Sequence, residues 1–276
     1  MRKFIILVAI LLGTAVSLTL LFSNLQAAPN GNTYNTTDTL YDPSQQNTPA
    51  DQTFEYAAVG ETYVCATPPF ICANPPQVTH TYSSTISGTV FNSMDVIDDY
   101  AGYAITPTLA PTLTRATGFK LDFALNIREE THNNNDRAGF VVILLAEDMK
   151  GIEVSFWKDE IWVQEDNDTN SYPMFTHAEG VSYTTTSWTD YELEIISDTY
   201  TLSANTTEIL SGTIRDYTAW DSGIPGAPDP YETPNLIFFG DNSSNGRSQT
   251  WIRDITIHYN TDESIEYNIY LPMIIK

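Results

Sequence analysis

The side chains with the most evident chemistry are carboxylates at alternate strand positions. DEIWVQE holds Asp159, Glu160 and Glu165, and YELEII holds Glu192 and Glu194. Two carboxyls on one sheet face can act as acid and nucleophile, or acid and base, in glycoside cleavage; retention needs them roughly 5–5.5 Å apart and inversion somewhat more. In the first segment Trp162 and Gln164 share the face of Glu160, while Glu165 points the other way. In the second, Glu192 and Glu194 share a face, but Asp198 follows four positions on. A solvated acidic strand face is the simpler reading. His80, His132, His177 and His258 accompany no G-x-S-x-G or H-E-x-x-H motif, so exposed loop histidine is the plain reading of His132 and of His177 beside Glu179. Oxygen ligands for calcium are offered by Asp166, Asp168 and Asn170, and by Glu130 and Asp136. The first set is no EF-hand, because its sixth position is Ser171 and its twelfth His177. No other cofactor is expected.

These groups need a scaffold, and residues 137–166 supply the clearest one. They read as three consecutive antiparallel strands. Residues 139–146 are apolar on both parities, as in a strand covered on two faces; 151–157 and 160–165 alternate. A turn at Lys158 and Asp159 sets Phe156 opposite Ile161 and Val154 opposite Val163. The other face then carries Glu153, Ser155, Trp157, Glu160, Trp162 and Gln164. Indole stacks on the C–H faces of sugars, while carboxylate and amide bind hydroxyls, so Glu153, Trp157, Glu160, Trp162 and Gln164 form the candidate ligand-binding set. The competing reading covers Trp157 and Trp162 with the loop 216–234, making a second small core. That loop holds Tyr217, Trp220, Asp221, Tyr231 and four prolines; its rings either face a ligand or fold back on the sheet.

The 276 residues carry a net charge of −23, which disfavours nucleic acid and anionic lipid as partners. Residues 1–27 read as a signal peptide or an uncleaved amino-terminal anchor: Arg2 and Lys3 precede an uncharged run of 19 residues, and Leu25-Gln26-Ala27 suits cleavage. The body is therefore expected to be secreted or at the cell surface, with membrane contact only through that segment. Residues 28–78 read as a flexible stalk with a small loop closed by Cys65 and Cys72, whose pairing fits an oxidising compartment. Residues 79–260 read as an all-β domain, with strands over 85–91, 101–105, 118–127, 188–196, 198–205, 208–214, 235–240 and 251–259. A polar loop is read over 129–136, and 206–207 closes a hairpin. Residues 261–276 form a hydrophobic tail.

The order FKLDFALNI, RAGFVVILL, GIEVSFWKDEIW, WTDYELEII, DTYTLSAN, LIFFGDN and WIRDITI resembles concanavalin A-like (laminin G-like) jelly-roll domains. The resemblance implies a two-sheet antiparallel β-sandwich. It implies little about function, since that superfamily includes lectins, glycan-cleaving enzymes and adhesive modules. Its glycosidases often carry Glu-x-Asp-x-x-Glu on a strand, which neither acidic segment here completes; its lectin-like members bind calcium at loop edges. The expectation is an extracellular, non-catalytic binding module, lectin-like or adhesive, with a glycan or surface protein as partner. The alternatives are a glycosidase or lyase of the same fold, or a structural envelope protein.

Overall fold

Two-residue turns and alternating strands build most of this chain. The computed structural model describes residues 33–59, 78–94, 100–105, 109–166, 174–221, 229–243 and 245–261. The signal or anchor segment, Cys65 and Cys72, and the tail beyond 261 lie outside them. In chain order the strands are β1 (Thr36–Tyr41), β2 (Phe54–Val59), β3 (Thr79–Ser83), β4 (Gly88–Asn92), β5 (Tyr100–Ile105) and β6 (Phe119–His132). Next come β7 (Val141–Leu145), β8 (Lys150–Phe156), β9 (Glu160–Gln164), β10 (His177–Ser182) and β11 (Thr189–Ile196). β12 (Thr199–Ala204), β13 (Thr207–Thr213), β14 (Arg215–Asp216), β15 (Ile237–Asp241) and β16 (Gly246–Tyr259) complete them.

They form a β-sandwich of two antiparallel sheets. The first runs β13-β12-β11-β6-β16-β4-β3, with β1 also paired to β16. The second runs β10-β9-β8-β7-β15-β5-β2, with β14 added to β8. Inward alternation from both sheets fills the core between them: Phe119, Leu121, Phe123, Leu193 and Ile257 from the first meet Val142, Val154, Phe156, Ile161 and Phe239 from the second. The central hairpin has the expected register, with Val154 opposite Val163, Ser155 opposite Trp162 and Phe156 opposite Ile161. Trp157 N–H donates to the Glu160 carbonyl at 2.9 Å across the turn. β7 is buried on both faces, which its continuous apolar run requires.

Several boundaries differ from the sequence reading. The segment read as a flexible stalk contributes β1, paired to β16, and β2, paired to β5. Its anchors are few but fully engaged: Tyr41 is buried and meets the Thr89 hydroxyl at 2.9 Å, and Phe54 sits edge-on to Tyr103 and Phe239. Three large apolar residues among many Asn, Thr and Gln give no visible period. The polar run 129–136 is strand as far as His132, because β16 begins at Gly246 and pairs it residue by residue. The histidine placed in a loop, His177, opens β10 against β9. The β12–β13 hairpin turns at Asn205 and Thr206, both at positive φ (48° and 67°), as a type I′ turn needs.

Candidate functional site

The face of the second sheet that carries the candidate ligand-binding set is covered. Trp162 is 0% and Glu153 1% exposed, Ser155 and Gln164 are equally buried, and Trp157 keeps 9%. Together with Val141, Ile143, Leu145, Tyr217, Tyr231 and Leu236, the two indoles make a second apolar core. Phe175 and Trp220 pack on its rim. An open stacking platform at Glu153, Trp157, Trp162 and Gln164 is thus corrected to the covered alternative. The cause is Tyr217 and Tyr231, whose rings fold back from the 216–234 segment instead of facing solvent. Of the five residues, Glu160 alone remains clearly part-exposed.

Several polar groups under this cover are hydrogen-bonded, while Ser155 Oγ, Trp162 Nε1 and Gln164 Oε1 are buried without a partner among the described residues. Trp157 Nε1 donates to the Arg137 carbonyl at 2.9 Å, and Gln164 Nε2 to that of Asp136 at 3.1 Å. Tyr217 hydroxyl donates to the Gln164 carbonyl at 2.9 Å. Glu153 receives the Tyr231 hydroxyl and, at 2.9 Å, Asn242 Nδ2. Burial pushes the Glu153 carboxyl above its ordinary range, opposed by those two donors. Two imidazoles lie flat on the indoles: His132 on Trp157 at 4.1 Å and His177 on Trp162 at 4.2 Å. Each ring also meets a carboxylate, His132 Nδ1 with Glu130 at 2.9 Å and His177 Nε2 with Glu160 at 3.1 Å. Burial raises Glu130 as well, against the His132 contact. The histidines are therefore ring neighbours of the cover, not exposed loop side chains.

The remaining acids are also engaged. Glu192 pairs with Lys120 at 2.9 Å, and Glu194 accepts from the Tyr34 hydroxyl. Glu165 and Glu179 both pair with Arg215, at 3.3 and 2.8 Å. Glu160 lies in the other sheet from Glu192 and Glu194, so the three do not converge. Among the described residues no three His, Cys, Asp or Glu side chains gather as a metal site. Asp166 accepts from Asp216 N–H at 2.8 Å; Asp168 and Asn170 lie outside the described residues.

An aromatic surface does exist, on the opposite side of the molecule's β-layers: the outward face of the first sheet. Trp188, just before β11, and Trp251, in β16, are both half-buried, with ring centroids 6.0 Å apart and planes at 41°. Arg128 lies over Trp251 at 4.5 Å and Arg253 over Trp188 at 4.0 Å, so the order is Arg–Trp–Trp–Arg. Arg253 is fixed by the carbonyls of Ile86 and, at 3.1 Å, Ser87. Trp251 stands opposite Asn126 of β6 and Val90 of β4. Asn126 points outward but is 4% exposed, and its Oδ1 has no hydrogen-bond partner. The sequence reading passed over this set. The available signals were the outward parities of Trp251 within WIRDITI and of Trp188 at the start of the strand read over 188–196.

No family model and no curated protein matches the chain. Solved structures with some likeness include the botulinum neurotoxin serotype C1 binding domain, at 11% identity and TM-score 0.41, over 74% of this chain and 44% of that one. A structure titled for botulinum neurotoxin type C entry through two ganglioside molecules gives 11% and 0.40, over 74% and 43%. Alginate lyase A1-II′, of polysaccharide lyase family 7, gives 9% and 0.37, over 65% and 83%. The chain thus spans under half the length of the neurotoxin domains it resembles. Likeness this remote carries no function across.

Proposed function

We propose that this chain is an extracellular, non-catalytic binding module of concanavalin A-like type whose ligand is a glycan. The observation that carries the reading is the half-buried Trp188–Trp251 pair on the outward face of the first sheet. Indole rings held from both sides by guanidinium groups lose little freedom on binding, and the part of each ring left exposed beyond the stack offers apolar area to the C–H groups of sugars. Gln249 lies two positions from Trp251 on the same face and is part-exposed, so a polar group suited to sugar hydroxyls flanks the rings. Glu153, Trp157, Trp162 and Gln164, with Glu160 at their edge, then serve as the packed support of the second sheet. Secretion through residues 1–27 and a disulfide between Cys65 and Cys72 belong to the same proposal. Glu192 is held by Lys120, Glu194 by Tyr34, and Glu160 lies in the other sheet, an arrangement that favours binding over cleavage.

A glycan array probed with the parent protein, W251A and W188A tests this. The parent should bind a defined subset of glycans, and each variant should lose most of that signal while remaining folded. No glycan bound by the parent, or full binding by W251A, would sink the proposal.

A further inference from the structure

We infer that the glycan taken by the Trp188–Trp251 face is acidic, with a carboxylate received by Arg128 and Arg247. This rests on the binding reading above and names its ligand class. The chain has 35 acidic and 12 basic side chains. Two of the six described arginines, Arg115 and Arg215, and two of the three described lysines, Lys120 and Lys150, pair with a carboxylate. Arg128, Arg247 and Arg253, gathered on this one face, form no ion pair among the described residues. Arg253 spends its donors on the Ile86 and Ser87 carbonyls and is a positioning residue for Trp188. Arg128 is exposed and Arg247 part-exposed, and a guanidinium group suits a carboxylate.

Their placement follows from strand geometry. Arg247, Gln249, Trp251 and Arg253 occupy alternate positions of β16, all outward, in a row about 20 Å long at roughly 3.4 Å per residue. That is a length for an oligosaccharide. On the neighbouring β6, the register against β16 slips between Gln249 and Thr250, leaving Arg128 as the extra residue of a bulge. The bulge turns both Arg128 and Glu129 outward and aims Arg128 over Trp251.

The face is polarised. At the Arg253 end, Asp254 feels both Arg253 and Asp190, so acids crowd there. At the other end Glu129 stands opposite Gln249 and diagonal to Arg247, with no ion pair joining Glu129 and Arg247. The carboxylate of the ligand accordingly belongs at the Arg128–Arg247 end, and an uncharged ring over Trp188 and Trp251. The acidic body repels a polyanion at long range, but that repulsion is screened beyond about 8–10 Å at ordinary salt, so the arginines act at contact distance.

The experiment measures calorimetric affinity for oligogalacturonates and for the same oligosaccharides with their carboxyls reduced to alcohols. It uses the full chain, the double variant R128Q/R247Q, W251A, and K158Q as a control for net charge at the exposed β8–β9 turn. The parent should prefer the acidic form by about 10-fold or more, and high salt should shrink that preference. R128Q/R247Q should bind both forms alike, at the parent's affinity for the reduced form, and K158Q should match the parent. Equal affinity of the parent for both forms, or a preference surviving in R128Q/R247Q, overturns the inference. In either case, Trp251-dependent binding of the reduced form leaves the glycan-binding reading standing. Failure of the parent to bind either form removes the inference together with the galacturonan case of that reading.

Discussion

Trp162 and Trp251 are opposite cases of one residue type, and truncating each separates support from surface. Trp162 has no exposed area, so Trp162→Ala returns roughly 250 Å² of buried surface to a cavity; at about 25 cal/mol per Å² the transfer alone is near 6 kcal/mol, an upper bound. Buried aromatic truncations cost about 3–5 kcal/mol in practice. Two local features push in different directions. The Trp162 Nε1 is buried without a partner, and removing an unpaired donor recovers about 1–3 kcal/mol. Against that, His177 loses the ring it lies on at 4.2 Å, and Trp157 its edge contact at 5.4 Å. The balance leaves a loss of about 3 kcal/mol. In a domain of this size that is roughly 6–12 °C in Tm.

Trp251→Ala removes a half-buried ring, at the same coefficient about half the Trp162 transfer or roughly 3 kcal/mol as an upper bound. It also removes one cation–π contact of about 1 kcal/mol or less, so its Tm should fall by less than that of W162A. Differential scanning calorimetry of the two variants at matched concentration reads both shifts. A Tm for W162A within 2 °C of the parent, on an assay able to see about 1 kcal/mol, would refute the covered core. A fall for W251A as large as that for W162A would refute the idea that Trp251 is held for the surface.

Two further outcomes follow from buried charge. Burial raises the Glu153 carboxyl above its ordinary value of 4.5, so the folded state holds that proton more tightly than the unfolded chain. This favours folding below about that pH and is lost as pH rises through the folded-state value. Glu153→Gln should flatten part of the fall in denaturant midpoint between acid and neutral pH; an unchanged slope would mean that Glu153 does not carry it. Arg215→Met strips Glu165 and Glu179 of their shared partner, and since both carboxylates are about a third exposed the cost should be about 1–2 kcal/mol, less than for a fully buried pair. Urea denaturation reads that cost, and its absence would mark the network as a surface cluster.

The central hairpin was legible because local rules agree with tertiary need. A two-residue turn, strict alternation and an apolar inside leave one register, and a slip by one residue would bury Glu153 and Gln164 against Phe123 and Leu193. The same rules could not say what lies on the outward side. Alternation separates two faces but is silent on whether a distant loop covers one of them. Tyr217 and Tyr231 arrive from more than fifty positions downstream of Trp162 and are joined to it only by folding. Polar composition misled in the other direction: Glu129, Glu130, Thr131 and His132 look like a loop, yet β16 supplies their hydrogen-bonding partners and burial reaches Glu130. β1 and β2 were hidden likewise, since an edge strand needs only a few buried anchors.

The Arg–Trp–Trp–Arg stack was illegible for a more specific reason. Its members come from β6, the turn before β11, and β16, and no segment holds more than two of them. Arg128 occupies a bulge, where two successive side chains share a face and the period-two pattern fails. Trp188 opens the strand read over 188–196 with outward parity, but alternation does not tell an outward tryptophan that meets a partner from one that does not. A position at a bulge escapes periodicity for the reason that makes it usable as a surface. Regular positions of β6 and β16 are committed in alternation to the core, and an irregular position frees a side chain from that commitment. The bulge can therefore aim Arg128 at Trp251 while Ile127 and Glu130 stay buried on either side. Deleting the extra residue, Arg128, should restore plain alternation through β6 and dock Glu129 where the guanidinium stood, leaving the sandwich folded and the charge of its anion-selective end cancelled. Calorimetric measurement on that deletion would show loss of any preference for oligogalacturonate over its reduced form; an unaltered preference would mean that the bulge does not build the site.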